Sequence, residues 1–228
     1  MGILTREFLR QADCKTAFGA IDEALLWSQE QRTNSLKATL GRRPDNSAVW
    51  VFGYGSLMWN PVFEAAEQAE GVLTGWHRTF CLRLTADRAT DCNPGRMLGL
   101  EAGGDTQGVA FRLPEATLEQ DLDLLWKREM LTGCYLPTWC DLKLKDGRDV
   151  TALVFIVNVH HAFYEAEIEP QVIAPLIVGA SGPLGSNVEY LFALEKTLTE
   201  RGVVDNTLNE LLACVRRILK CPGSVIAD

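Results

Sequence analysis

The sequence predicts an α+β domain, with a sheet that can curl into a barrel, behind a helical N-terminal segment. From residue 48 onward, short runs with β-type patterning dominate, and helical stretches are interposed among them without a regular βαβ repeat. Strands and helices mixed in this way are typical of α+β proteins. With 228 residues, the chain is long enough to bury one good hydrophobic core.

The first forty-odd residues form the predicted helical extension. Apolar side chains recur there at the helical interval of roughly three to four residues. The stretch Gly41–Ser47 breaks this pattern and is typical of a linker. We therefore predict a helical extension and linker over residues 1–47 and a main domain over residues 48–228. The apolar positions of the extension are Phe8, Leu9, Ala20, Ile21, Leu25 and Leu26.

The main domain is predicted to contain short strands followed by helices. Asp146-Gly147 is a strong hairpin signal, because this dipeptide adopts the left-handed conformations that tight turns need. Ser186 and Glu189 have the spacing of a helix capping box. The predicted strands are 48–54, about 72–84, 96–101, 107–113, 138–145 and 149–158, and the predicted helices are about 115–129, 170–179, 187–201 and 206–219.

Composition and charge disfavour two classes of partner. Hydrophobic content of 47% and charged content of 23% are ordinary for a globular protein. A formal net charge of -8 would repel nucleic acid and an anionic membrane surface, so we expect neither as a partner. No apolar stretch approaches the roughly 18–20 residues of a membrane span, and residues 1–20 lack a signal-peptide apolar run. We expect a cytoplasmic protein, and the sequence identifies no protein partner.

Cysteine and histidine do not form a metal-binding motif. The seven cysteines are odd in number, no C-x-x-C pair occurs, and only His77, His160 and His161 could join them. We predict reduced, buried thiols and no bound metal. A cysteine nucleophile would need a histidine brought near by the fold, which this pattern leaves open.

The stretch VFGYGSLMWNP, Val51–Pro61, either opens a nucleotide-binding fold or forms a loop that presents backbone amides. A dinucleotide fingerprint requires a third glycine, and Met58 occupies that position. Trp59-Asn60-Pro61 is also a poor helix interior, because proline lacks the amide donor. We favour a short strand that leads into a loop with several free N–H groups. The residues of this loop are Tyr54, Gly55, Ser56 and Leu57.

A carboxylate lies on the apolar face of the helix predicted before Gly133. Leu118, Leu122 and Leu125 define that face, and Glu129 continues the series at i+11. Such a glutamate is paired with an arginine such as Arg128, is exposed by fraying of the helix end, or is held with a raised pKa as a general base. The pattern alone leaves these alternatives open.

Five segments, in order from Ala48 to about Thr199, resemble the ChaC family of glutathione-specific γ-glutamylcyclotransferases. VFGYGSLMWNP resembles the family's substrate loop. KREMLTGCY, Lys127–Tyr135, resembles its catalytic segment, and Glu129 matches the family's glutamate. The remaining segments are NPGR followed by MLGLE from Asn93, GVAFRLP at Gly108–Pro114, and SGPLGSNVEYLFAL at Ser181–Leu194.

The resemblance implies a γ-glutamylcyclotransferase-like mixed β-barrel with surrounding helices, to which the N-terminal helical extension is added. It also implies a reaction in which the α-amine of a γ-glutamyl group attacks its own γ-carbonyl. With glutathione as substrate, the products are 5-oxoproline and Cys-Gly, and no cofactor is required. In this interpretation Glu129 is the general base, and the amides of Gly55, Ser56 and Leu57 stabilise the oxyanion.

Three further residues are candidate substrate contacts. Tyr54 lines the pocket or is a core aromatic. Arg88 binds a substrate carboxylate or is a solvated surface side chain. Tyr135 is a candidate ligand contact that the sequence leaves open. Cys134 stands where the family usually has a second glycine, and Phe155 where some relatives carry a tyrosine. These departures bear on substrate contacts more than on the reaction.

Two other functions remain compatible with the sequence. One is a cyclotransferase for other γ-glutamyl amines or peptides, since the motifs do not specify the leaving group. The other is a non-catalytic regulatory binding protein that keeps the fold, for instance one that modulates ion transport through a partner. Glu129 and the intact Tyr54–Leu57 loop argue against the second function.

Overall fold

The computed structural model describes residues 5–11, 21–44 and 47–221. This part of the chain forms two compact units. The first contains residues 5–11, 23–44, 47–77 and 100–161, and the second contains residues 21–22, 78–99 and 162–221. The division into an extension over 1–47 and a domain over 48–228 stays a prediction.

The main sheet closes into a five-stranded barrel, with strand order β1-β3-β2-β4-β5. Strand β1 pairs antiparallel with β3 and parallel with β5, so the sheet is mixed. The predicted α+β fold with a mixed barrel is therefore confirmed. The strands are β1 Trp50–Gly53, β2 Glu67–Leu84, β3 Gly95–Arg112, β4 Tyr135–Leu144 and β5 Asp149–Val157.

Strand β3 is longer than the sequence indicated. The predicted strands 96–101 and 107–113 are parts of this one strand, so the predicted break was wrong. Gly103 and Gly104 have φ angles of 110° and 66°, and the chain continues through them as a strand. Strand pairing thus continues through two glycines, a residue type that is depleted in strands.

The hairpin between β4 and β5 is confirmed. Gly147 has a φ of 95°, and its N–H donates to the Leu144 carbonyl. The Asp146 carboxylate accepts the Arg148 N–H at 3.1 Å. Asp146-Gly147 therefore forms the turn that its chemistry favours.

The predicted helices of the main domain are present. Helix α3 follows a short 3₁₀ turn at Glu115–Thr117, and Ser186 caps α5 with the predicted capping box. No described helix is long and apolar enough to cross a membrane. The helices are α3 Leu118–Glu129, α4 Pro170–Gly179, α5 Asn187–Glu200 and α6 Asn206–Lys220; a small sheet of β6 Ser181–Gly182 and β7 Gly185–Ser186 precedes α5.

The described part of the N-terminal segment contains two helices, α1 Arg6–Leu9 and α2 Gln29–Leu40. The helical expectation for residues 5–40 holds for these parts. Residues 21–28 contain only a short 3₁₀ turn, because Ser28 starts α2 as its N-cap. Residues 12–20, including the predicted apolar Ala20, lie outside the described residues.

Both N-terminal helices contact α3. On α1, Leu9 is fully buried and the Arg6 guanidinium lies 2.8 Å from the Asp121 carboxylate. On α2, the Ser35 hydroxyl accepts a hydrogen bond from the Trp126 indole at 3.2 Å. The described N-terminal helices thus pack on the element that ends in Glu129.

Candidate active site

Glu129 is the last residue of α3 and lies at the end of its buried face. Leu122 and Leu125 on that face are fully buried, and the Glu129 side chain is 16% exposed. The helix continues through Glu129, so its carboxylate is not freed by fraying. The predicted position on the apolar face is therefore confirmed.

Burial raises the pKa of Glu129 above its ordinary value, and the positive charge of Arg128 opposes this rise. Arg128 Nε lies 3.2 Å from Glu129 Oε1. Two of the sequence alternatives therefore hold together: the carboxylate is paired, and its pKa is raised. A carboxylate with a raised pKa is a stronger proton acceptor than an ordinary one, as general-base chemistry requires.

Arg128 also connects Glu129 to the loop after β1. Its Nη1 donates to the Asn60 carbonyl and its Nη2 to the Ser56 hydroxyl, both at 2.6 Å. The guanidinium side chain is only 7% exposed. Sequence analysis missed this linking role; the available signal was an arginine adjacent to a core-facing glutamate.

The loop after β1 presents backbone amides without partners. Residues Ser56–Met58 form a 3₁₀ turn, in which the Met58 amide donates to the Gly55 carbonyl. Among the described residues, no acceptor contacts the amide N–H of Gly55, Ser56 or Leu57. Gly55 and Leu57 are buried. Because buried amides are nearly always paired, such a stretch suits a developing negative charge.

Tyr54 and Tyr135 are both buried in the first unit, at 8% and 7% exposure. The Tyr54 hydroxyl donates to the Phe155 carbonyl at 2.7 Å. The Phe155 ring packs edge-on against Trp126, with centroids 5.4 Å apart. Tyr54 thus has the environment of a core aromatic, and substrate contact by either tyrosine stays a prediction.

The turn after α3, which we call the Leu131–Cys134 turn, has all four of its carbonyls bonded. Gly133 has a φ of 78°, which favours glycine. The Leu131 carbonyl accepts from Trp27 N at 2.8 Å, and the Thr132 carbonyl from His161 Nε2 at 3.1 Å. The Gly133 carbonyl accepts from Asn158 Nδ2 at 3.3 Å, and the Cys134 carbonyl from Asn158 N at 2.9 Å.

Cys134 does not have the properties of a nucleophile. Burial first, and the negative charge of Glu129 in addition, raise the pKa of its thiol to about 11. The reactive thiolate is therefore scarce at neutral pH. No group of three or more described His, Cys, Asp or Glu side chains is arranged to hold a metal ion.

Arg88 belongs to the second unit. Its Nη1 donates to the Ser186 carbonyl at 3.0 Å and to the Glu189 carboxylate at 3.2 Å. The Arg88 side chain is 30% exposed, so it is neither fully buried nor a freely solvated surface side chain. Its contact with a substrate carboxylate stays a prediction.

The barrel and its helices define the fold of the γ-glutamylcyclotransferases. The structure of a yeast γ-glutamylcyclotransferase specific to glutathione superposes with a TM-score of 0.70, at 23% identity, over 75% of this chain and 97% of that chain. A family model described as ChaC-like protein matches residues 49–218. The chain belongs to the ChaC-like family.

Named relatives agree with this assignment. The glutathione-specific γ-glutamylcyclotransferase of Escherichia coli strain K12 is 63% identical over 217 residues, which cover 95% of this chain and 94% of the relative. The mouse glutathione-specific γ-glutamylcyclotransferase 1 is 31% identical over 183 residues, which cover 78% and 82% of the two chains.

Proposed function

We propose that this protein is a glutathione-specific γ-glutamylcyclotransferase, a lyase that converts glutathione to 5-oxoproline and Cys-Gly. The observation that carries the proposal is the buried Glu129 carboxylate, which Arg128 links to a loop whose amides have no acceptor among the described residues. The E. coli relative named for this activity supports the choice of substrate. A cytoplasmic location is part of the proposal, since reduced thiols fit a reducing compartment.

In the proposed reaction, Glu129 accepts a proton from the substrate α-ammonium, for which the reference pKa is about 7.7–8.0. The freed lone pair forms a bond to the γ-carbonyl carbon, and negative charge develops on the carbonyl oxygen. The N–H groups of Gly55, Ser56 and Leu57 donate to this oxygen. The bond from that carbon to the cysteine nitrogen then breaks, and this nitrogen takes the proton from Glu129. The ionised Glu129 removes the second proton from the ring nitrogen, which gives neutral 5-oxoproline, and passes it to the Cys-Gly amine, so that the carboxylate is regenerated.

The reaction consumes neither water nor electrons, so the scheme includes no cofactor. Both reacting groups belong to one substrate molecule, and correctly oriented intramolecular attack can reach effective molarities of about 10⁵–10⁸ M. The main task of the protein is therefore to hold the γ-glutamyl chain in a ring-closing shape. Tyr54, Arg88 and Tyr135 are the candidate contacts for this task.

Glu129→Gln tests the proposal, because it keeps the side-chain size and removes the base. We expect the wild-type protein to release 5-oxoproline and Cys-Gly in equal amounts, and Glu129→Gln to be slower by about 10²–10⁴-fold. Glu119→Gln is the matched control, since Glu119 is an exposed carboxylate on the same helix. Product release is measured by chromatography.

Parallel assays with γ-glutamyl-alanine and a γ-glutamyl amine test the specificity. Turnover of either compound at the rate of glutathione would replace the glutathione-specific assignment with the broader one. Folded wild-type protein that turns over none of these compounds would contradict the cyclotransferase proposal. Full activity of Glu129→Gln would contradict the role of Glu129.

A further inference from the structure

The Leu131–Cys134 turn is held by two different parts of the chain. Asn158 and His161, just after β5, donate to the last three of its carbonyls. The first carbonyl, that of Leu131, accepts the backbone N–H of Trp27 at 2.8 Å. Leu131 comes two residues after Glu129, so the N-terminal segment contacts the chain beside the proposed base.

The Trp27 ring also occupies the space next to Gly133. A Cβ atom added at Gly133 would overlap three atoms of the indole ring. Gly133 is therefore required for two reasons: its φ of 78° and the ring packed against it. Such close contact leaves the turn little room to move while Trp27 stays in place.

Trp27 is itself held in place by its contacts with α2. The Arg32 guanidinium donates to its carbonyl at 2.6 Å, and α2 begins directly afterwards with a Ser28–Gln31 capping box. The hydrogen bond between Ser35 and Trp126 joins α2 to α3. The Trp27 ring therefore lies directly before α2, and α2 packs on α3, the helix that ends in Glu129.

We propose that Trp27 is a positioning residue for Glu129, which holds the Leu131–Cys134 turn so that the carboxylate keeps its buried place beside Arg128. The inference rests on the proposed function for its kinetic consequence. Trp27 lies outside residues 49–218, the region that the family model matches.

Trp27→Ala tests the inference, because it removes the ring and keeps the backbone N–H. We expect kcat to fall by roughly 10–100-fold, since small displacements of a catalytic group have effects of this size. We expect a much smaller change in KM and a shift of the acid limb of the rate profile to lower pH, because a loosened site admits water and lowers the pKa of Glu129. Trp27→Phe should be intermediate.

Trp76→Ala is the control for general loss of packing, because Trp76 is a half-buried tryptophan on β2 of the same unit. All variants are assayed where thermal unfolding shows them to be folded. An unchanged kcat and acid limb in Trp27→Ala overturns the inference. The inference is also overturned if Trp76→Ala changes kcat and the acid limb as much as Trp27→Ala does.

Gly133→Ala gives a second test that does not need activity. Its added methyl group overlaps Trp27, so Trp27→Ala should recover part of the stability that Gly133→Ala loses. Strictly additive losses in this double-mutant cycle overturn the inference. The labelling rate of Cys134, 4% exposed in the turn, should also rise in Trp27→Ala and not in Trp76→Ala. The double-mutant cycle and the Cys134 labelling rate test whether Trp27 holds the turn, even if the wild type proves inactive on glutathione.

Discussion

Burial and the charge of Arg128 have opposing effects on the pKa of Glu129. The Arg128 charge lowers the pKa of Glu129, while the burial that it shares with Glu129 raises that pKa, and burial has the larger effect. Because the base must be ionised to accept a proton, the acid limb of the rate profile should lie above the ordinary carboxyl pKa of 4.5. The position of this limb therefore reports the balance between burial and pairing.

Arg128→Met should move the acid limb to higher pH. Without the guanidinium, only burial acts on Glu129, so its pKa rises further. The loss of the Ser56 and Asn60 contacts should also lower kcat. The measurement is kcat/KM between pH 4 and 9, with Lys127→Met as the matched control. A limb that stays in place, or moves to lower pH, would contradict this electrostatic role.

Sequence alone could predict Glu129 but not its surroundings. The helical period of Leu118, Leu122 and Leu125 places Glu129 on the buried face, and this is a local property. Arg128 contacts Ser56 and Asn60 across 72 and 68 residues of chain. Contacts of such separation depend on the closed barrel, and no local pattern encodes them.

The same contrast holds for whole elements. The β4–β5 hairpin and the α5 capping box were predictable, because Asp146-Gly147 and Ser186 determine their local geometry. The continuous β3 strand was not, because its pairing with β2 decides it. The start of α2 at Ser28 was missed, although Ser28 and Gln31 form a local capping box. Tertiary pairing thus overrode local propensity in β3.

The contact between α1 and α3 depends on a buried ion pair. Asp121 is fully buried, its Oδ2 accepts the Thr117 hydroxyl at 2.7 Å, and its Oδ1 lies 2.8 Å from Arg6 Nη2. The Arg6 contact is close in distance but not aligned as a hydrogen bond. The pair therefore compensates charge more than it satisfies hydrogen bonding.

Arg6→Met should destabilise the protein, because it leaves the Asp121 charge buried without a cation. We expect the free energy of unfolding to fall by about 3 kcal/mol. Adding Asp121→Asn removes the stranded charge and keeps the Thr117 hydrogen bond, so the double variant should recover most of the loss. Urea denaturation measures the free energy of unfolding of the single and double variants. Equal stability of the single and double variants would show that the ion pair is unimportant.

Six cysteines are free in the part of the chain that the structure describes. Burial raises the pKa of both Cys134 and Cys140 to about 11. Cys14 lies outside the described residues. Exposed thiols therefore differ from buried ones in their access to reagents.

Labelling of the native protein with a thiol reagent should follow this division. We expect Cys92 and Cys221 to react first, because they are exposed, and Cys81, Cys134 and Cys214 to react only after unfolding. Peptide mass spectrometry identifies the labelled sites. The thermal midpoint should not depend on reductant. A lower midpoint in reductant, or early labelling of Cys81, would contradict the described arrangement.

The parallel pairing of β1 with β5 has a consequence for the folding pathway. Trp50 pairs with Ala152, so about a hundred residues of intervening chain must be ordered before the barrel can close. Topologies dominated by such non-local pairs fold slowly. The amides of the loop after β1 and the Glu129 carboxylate are synthesised well before β5, yet we expect them to reach their final environment only when that strand docks. Catalytic competence should therefore appear in the last phase of refolding.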